Sequence, residues 1–103
     1  MANRWNIPLE MERRVRTRDI ACVYCHVKFE NNPRNRATWE HIDNSAKNIC
    51  DENITLCCSS CNASKSDKQL LEWFESRYCK QKRITKDSVA EVIKRWIIKK
   101  SCR

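Results

Sequence analysis

Two Cys-x-x-Cys pairs constrain this chain more than any other feature of its sequence. The pairs are Cys22/Cys25 and Cys58/Cys61. Together they supply four thiolates, which is the ligand set of a closed, tetrahedral structural zinc site. Related zinc folds usually separate their two pairs by about 15–20 residues, whereas here residues 26–57 lie between them. We therefore expect one zinc ion to join the two ends of an inserted segment.

The other cysteines do not fit this spacing. Cys57 stands next to Cys58 but does not give the x-x spacing to Cys61, so Cys58 is the assigned ligand. His26 is an alternative ligand, but the four thiolates already complete a tetrahedral set. Free cysteine is commonly buried, so we expect the remaining four to be buried or inert thiols rather than a second metal site: Cys50, Cys57, Cys79 and Cys102.

Length and charge narrow the class of protein. A chain of 103 residues predicts one domain, residues 1–103, and domains this small often need a staple. Lys and Arg number 21 against 13 Asp and Glu, which favours a nucleic-acid partner over a merely solvated basic surface. No apolar run approaches the ~20 residues of a membrane span, and the N-terminus lacks the apolar segment of a signal peptide. We therefore expect a cytoplasmic protein without a membrane partner, whose reduced cysteines bind metal; secretion would reverse that inference.

Helical signals flank the cysteine-rich centre of the chain. Pro8 suits the first turn of a helix over residues 8–18. Apolar spacing predicts a second helix from about residue 62 or 66 to residue 79, and a third over residues 86–99 with Thr85 as its N-cap. We expect their apolar stripes to form the core rather than a ligand site.

The inserted segment contains the dipeptide Glu40-His41. Neutral imidazole is a suitable general base near pH 7, and a carboxylate can hold a hard cation such as Mg²⁺. Asn62 directly follows Cys61, so a zinc site would fix its amide oxygen as a second, neutral ligand. These groups suit phosphodiester hydrolysis, in which a base deprotonates water and a metal ion polarises the phosphate.

One geometric condition applies to this dipeptide. Adjacent side chains of a regular strand point to opposite faces. Glu40 and His41 can converge only if the strand ends there or if the phosphate lies at its edge. The alternative is a salt-bridged surface Glu40 and a structurally satisfied His41.

The order of these motifs resembles a known family. Cys-x-x-Cys, then Trp39-Glu-His-Ile, then Asn53-Ile-Thr-Leu-Cys-Cys-x-x-Cys-Asn-x-x-Lys65 is similar to the HNH endonucleases with a ββα-metal fold. The spacing is also similar to the endonuclease VII type of phage junction resolvase. The resemblance covers residues 20–66 and implies an α+β fold, a small zinc-stapled ββα-metal domain. An N-terminal helix (8–18) and C-terminal helices (66–100) would flank it, and the protein would act in a bacterial cell or a phage-infected host.

The resemblance implies a role for each matching residue. Cys22, Cys25, Cys58 and Cys61 would hold structural zinc, and His41 would be the general base. Glu40 and Asn62 would hold a catalytic Mg²⁺ or Mn²⁺ ion, and Asn53 would support the loop that orients the site. Glu40 stands where the family usually has Asp, and His26 stands where a glycine is common.

Basic residues flank the expected site and are candidate DNA contacts. They are Arg34, Arg36, Lys65 and Lys68. Such residues bind phosphates and position a protein without reading base sequence; a solvated face is the alternative. A second basic cluster, residues 13–18, lies on the first predicted helix. A monomer would nick one strand, whereas a homodimer would cut both.

Two other functions share several of these features. A non-catalytic zinc-containing module that binds DNA or RNA would also be basic and zinc-stapled. A nuclease-derived assembly factor is a third reading. A pure binding module has no need for Glu40, His41 and Asn62 together, whereas the Glu40 replacement leaves the assembly factor open. We expect a metal-dependent DNA endonuclease.

Overall fold

The computed structural model describes residues 5–99. Helices surround one two-stranded sheet, which confirms the predicted α+β class. No helix in this part of the chain has the length and apolar character needed to cross a membrane. The elements, in chain order, are α1 Leu9–Arg18, β1 Ala37–His41, β2 Ile54–Cys58, α2 Ser59–Lys65, α3 Leu70–Trp73, α4 Arg77–Lys82 and α5 Glu91–Lys99.

The first helix forms where the sequence predicts it, one residue after Pro8. Its first turn carries Glu10 and Glu12 and its last turn carries basic residues, which complements the helix dipole. Val15 is its one buried residue and packs against β2 in a small apolar cluster. This apolar contact helps to place α1 beside β2.

The two strands pair antiparallel and differ in burial. Ala37 lies opposite Cys58 and His41 lies opposite Ile54. Every residue of β2 is buried, whereas β1 changes from exposed at Ala37 to buried at its last two residues. The end of β1 therefore carries Glu40 and His41 into the interior.

The helix α2 begins immediately after β2. Cys58 is its N-cap, and the Cys58 Sγ accepts a hydrogen bond from the Cys61 backbone N–H at 3.4 Å. The helix contacts both strands. The second cysteine pair therefore joins the sheet to α2.

The helix predicted to reach residue 79 is divided into three short ones, so this prediction is wrong. The chain leaves α2 at Ser66, where φ is 50°. Ser76 then caps α4 by accepting a hydrogen bond from the Cys79 N–H at 3.2 Å, and Arg83 ends α4 at φ 59°. Serine side chains that bond to the backbone offer the chain an alternative to a continuous helix.

The last helix starts later than predicted, at Glu91 rather than Lys86. Thr85 does act as a cap, but of a single turn: its Oγ1 accepts hydrogen bonds from the N–H groups of Asp87 and Ser88, each at 3.2 Å. The predicted apolar stripe does face the core. Val89 and Ile93 are buried, and three half-buried residues pack beside them: Val92, Trp96 and Ile97.

Candidate functional site

Four cysteine sulfurs converge at the junction of the sheet and α2. The Sγ atoms of Cys22, Cys25, Cys58 and Cys61 all lie within 4.8 Å of one another, and those of Cys25 and Cys58 are 3.8 Å apart. Thiolates around a tetrahedral zinc ion would be about 3.8 Å apart, given Zn–S bonds of about 2.3 Å. The prediction that these cysteines form one group able to bind zinc is confirmed. Among residues 5–99, no other cluster of three or more His, Cys, Asp or Glu side chains lies close enough together to hold a metal ion.

Tyr78 supports this cluster, although no motif or spacing in the sequence indicates a role for that residue. The Tyr78 hydroxyl, on α4, donates to Cys61 Sγ at 3.2 Å and lies 3.0 Å from Ser60 Oγ. Burial raises the pKa of Tyr78, so the hydroxyl remains a neutral donor. Donors to a metal-binding thiolate typically orient it and tune its charge.

The remaining cysteines have different environments. Cys57 points away from the cluster, because strand alternation places its Sγ beside Thr38 Oγ1 at 3.7 Å. Burial raises the pKa of Cys57, so it is a neutral thiol. Cys57 and Cys79 are buried and free, as predicted, whereas Cys50 is disulfide-bonded, which corrects the expectation of a free thiol. Cys102 lies outside the described residues.

His26 is not a member of the metal-binding group. It adopts φ 65°, the left-handed region that usually favours glycine. Its ring nitrogen Nε2 hydrogen-bonds the Ser88 backbone oxygen in the segment before α5. The contact explains how a side chain is accommodated at this turn.

The residues Glu40, His41 and Asn62 line one cavity of about 190 Å³. The strand β1 ends at His41, so the alternation of side chains does not separate them. Asn62 reaches the same place from α2, because its Nδ2 donates to Thr38 Oγ1 at 2.9 Å and to the Trp39 backbone oxygen at 3.2 Å. The structure therefore brings the three predicted residues together.

His41 lines the cavity and has a buried ring nitrogen without a partner in the described part of the chain. The residue is 7 % exposed, and its Nε2 has no hydrogen-bond partner within residues 5–99. The Trp5 ring packs edge-on against the imidazole, with the ring centroids 5.2 Å apart. Burial lowers the pKa of His41, Lys65 lowers it further, and Asp43 opposes them. The imidazole is therefore neutral at pH 7.

Glu40 is buried and held by two partners. Its Oε2 accepts a hydrogen bond from the Tyr24 hydroxyl at 2.8 Å and lies 3.0 Å from the Lys65 Nζ. Burial raises the pKa of Glu40, whereas the Lys65 ammonium and the Tyr24 hydroxyl lower it. Lys65 has no exposed surface. Its prediction as a phosphate contact is therefore wrong, because the buried ammonium pairs with a carboxylate instead.

Asn53 holds the loop that follows His41. Its Nδ2 donates to Asp43 Oδ1 at 3.0 Å and to the Asn48 backbone oxygen at 2.9 Å. Its Oδ1 accepts from the Asp43 N–H at 3.0 Å. These bonds suit the supporting role that the family resemblance implies for Asn53; its effect on activity stays a prediction.

The basic residues near the expected site and those on α1 differ in how many are paired with other groups of the protein. Arg34, Arg36 and Lys68 are exposed, and their role in DNA binding stays a prediction. On α1, Arg14 pairs with Asp51 at 2.6 Å. Arg18 donates to Asp19 and to two backbone carbonyls. Part of the α1 cluster therefore fastens that helix to the rest of the fold.

Neither a protein-family model nor a curated protein nor a solved structure matches this chain. Its relation to the HNH endonucleases is therefore a resemblance carried by the cysteine spacing and by Glu40, His41, Asn53 and Asn62.

Proposed function

We propose that this protein is a metal-dependent DNA endonuclease of the HNH type, with a ββα-metal fold. One observation carries the proposal: Glu40, His41 and Asn62 line a single cavity, and the buried Nε2 of His41 has no hydrogen-bond partner among residues 5–99. Burying a polar atom without a partner costs free energy. Such an atom is readily explained by a reactant that it meets only during turnover.

The cavity also offers oxygen donors that suit a divalent ion. Both contacts of Glu40 run through Oε2, which leaves Oε1 for an ion. Asn62 uses its Nδ2 on β1, which leaves its Oδ1. Oxygen ligands are those that Mg²⁺ and Mn²⁺ prefer, and such ions commonly keep several waters beside one or two protein ligands. We infer that Glu40 and Asn62 would hold the ion.

Each residue then has a distinct role in phosphodiester hydrolysis. Nε2 of His41 accepts the proton of the attacking water, which requires the neutral imidazole. Asn53 holds the loop that begins after His41, so the base at the end of β1 keeps its place. When bound, the ion would polarise the phosphate and stabilise charge on the leaving oxygen. Zinc on the four cysteines would fix α2 and with it Asn62.

Charge supports a polyanionic substrate, and the family resemblance implies DNA. The chain has a net charge of +8, and the side chains of Arg34, Arg36 and Lys68 are exposed. Binding of this kind is salt-dependent, because each phosphate contact releases counterions from DNA. We infer a DNA phosphodiester backbone as the substrate, with the protein acting as a monomer or a homodimer.

A plasmid-nicking assay tests this proposal. Zinc-loaded protein should convert supercoiled DNA to the open circle when Mg²⁺ or Mn²⁺ is added and not without it. His41→Ala should retain zinc and lose nicking. His26→Asn is the matched control, because it removes the other histidine, and Asn tolerates the left-handed backbone there. Absence of cleavage by folded native protein on supercoiled, single-stranded and branched DNA would refute the nuclease.

One observation favours the non-catalytic alternative. The Glu40 carboxylate already has a buried partner in Lys65, as a purely structural ion pair would. If the protein binds DNA tightly but never cleaves it, a zinc-containing binding module becomes the better account.

A further inference from the structure

Lys65 is completely buried, which is unusual for a lysine. It has no exposed surface, whereas every other lysine between residues 5 and 99 is at least partly exposed. A buried ammonium is costly unless it is paired and hydrogen-bonded. Its partners therefore indicate what keeps it in this position.

The Lys65 ammonium joins three parts of the site. Lys65 is the last residue of α2. Its Nζ lies 3.0 Å from Glu40 Oε2 on β1 and donates to Asn44 Oδ1 at 2.7 Å in the loop after His41. The amide of Asn44 in turn donates to the backbone oxygens of Asp67 and Lys68, at 3.0 and 2.9 Å. Glu40 and Asn44 both line the cavity that contains His41.

We propose that Lys65 is a positioning residue, which holds Oε2 of Glu40 so that Oε1 is the oxygen presented to the divalent ion. The proposal rests on the proposed function, because it assigns Lys65 a role in that same site. It also accounts for glutamate at position 40. The longer side chain reaches both the Tyr24 hydroxyl and Lys65 through Oε2.

A merely structural role explains this pair less well. Replacing a buried ion pair by apolar residues of similar size is often neutral or stabilising. A fold that needed only packing here would be served by apolar side chains. The pair lies instead beside His41, and one partner lines the cavity, which favours a role in arranging the carboxylate.

Manganese binding without DNA tests the proposal. Zinc-loaded native protein and Lys65→Met are titrated with Mn²⁺, and free Mn²⁺ is followed by electron paramagnetic resonance. Loss of a residue that orients a metal ligand typically weakens metal binding or activity by about 10- to 100-fold, and we expect a loss of that size. Lys86→Met is the matched control, because it removes an exposed lysine in the turn before α5. Unchanged Mn²⁺ affinity in folded Lys65→Met would overturn the proposal.

A second measurement uses the native chain and does not depend on the variant folding. The lysine side-chain nitrogens are labelled with ¹⁵N, and the ammonium signals are followed during a Mg²⁺ titration. The Lys65 signal should shift with saturation and stay protected from exchange with solvent, whereas the Lys86 signal should do neither. A Lys65 signal that does not shift, or that loses protection as Mg²⁺ displaces it from Glu40, would contradict the proposal.

These readouts separate the two claims. If the native protein cuts no DNA but Lys65→Met loses Mn²⁺ affinity, the positioning role stands and the nuclease is wrong. If the native protein nicks DNA and Lys65→Met binds Mn²⁺ normally, only the role of Lys65 is wrong.

Discussion

The cysteine cluster lies where β2 meets α2, whereas His41 pairs with the opposite end of β2, and the two sites differ in how complete they are. In the cluster, four side chains of one type converge within 4.8 Å, a full tetrahedral set. In the cavity, side chains of different types converge, one carboxylate is shared with a lysine, and one imidazole nitrogen has no partner in the described part of the chain. A closed set of ligands suits a structural role, whereas an incomplete set leaves room for a reactant.

The largest effect is expected from Cys58→Ala. Structural zinc contributes on the order of 10 kcal/mol or more to small zinc domains, so the variant should lose both zinc and cooperative unfolding. Metal analysis and thermal denaturation measure this. Cys57→Ala removes the buried neighbour outside the cluster and should retain zinc. A Cys58→Ala protein that folds without zinc would show that folding does not depend on a zinc ion in the cluster.

The next effect concerns the reach of Glu40. Glu40→Asp shortens the side chain by one methylene, so the carboxylate cannot keep Lys65 and Tyr24 and still face the cavity. We expect the nicking rate to fall about 10- to 100-fold with zinc content unchanged. The single-turnover rate at saturating Mn²⁺ measures this. Full activity of Glu40→Asp would mean that the longer side chain has no special role.

The dependence on pH should follow the state of His41. Only the neutral imidazole accepts a proton, so the rate should fall as pH drops through the pKa of His41. Burial lowers that pKa below its usual value of 6.5. The midpoint should therefore lie below pH 6.5, with about a tenfold loss per pH unit beneath it. Single-turnover rates between pH 5 and 8 check this, and a midpoint above 6.5 would contradict the assignment of the base.

The smallest expected effect is on DNA affinity. It compares an exposed basic residue with one that is already paired to a carboxylate. Lys68→Ala should weaken DNA binding uniformly across sequences and reduce the salt dependence by about one counterion. Arg14→Ala should change DNA affinity less, because the Arg14 guanidinium already pairs with Asp51. Binding titrations at several salt concentrations, without divalent metal, compare the two. Equal effects would mean that the pairing of Arg14 does not restrict its contact with DNA.

The sequence predicts the parts of this molecule that depend on spacing. The two Cys-x-x-Cys pairs identify the metal-binding group, because each pair forms one turn whose backbone N–H groups bond the sulfurs. Pro8 and the charges of the first helix place α1 to within a residue. These signals are local, so they do not depend on how the rest of the chain packs.

Features that depend on packing between distant segments could not be predicted in the same way. Lys65 lies at the end of a short helix, and its burial follows only from the approach of Glu40, which is distant in sequence. Tyr78 meets Cys61 because the chain turns at Ser66 and Ser76, and the apolar spacing alone indicated one straight helix. Polar side chains that bond locally changed the path that the apolar pattern suggested.

Chemical rescue of His41→Ala tests the central claim, that His41 activates the attacking water. The variant, loaded with zinc and supplied with Mn²⁺, is mixed with DNA and increasing concentrations of imidazole, and the single-turnover cleavage rate is measured. We predict that cleavage is lost in the variant, returns in proportion to the neutral imidazole, and follows the pKa of the added base. Cleavage by His41→Ala at the native rate without imidazole would contradict the claim.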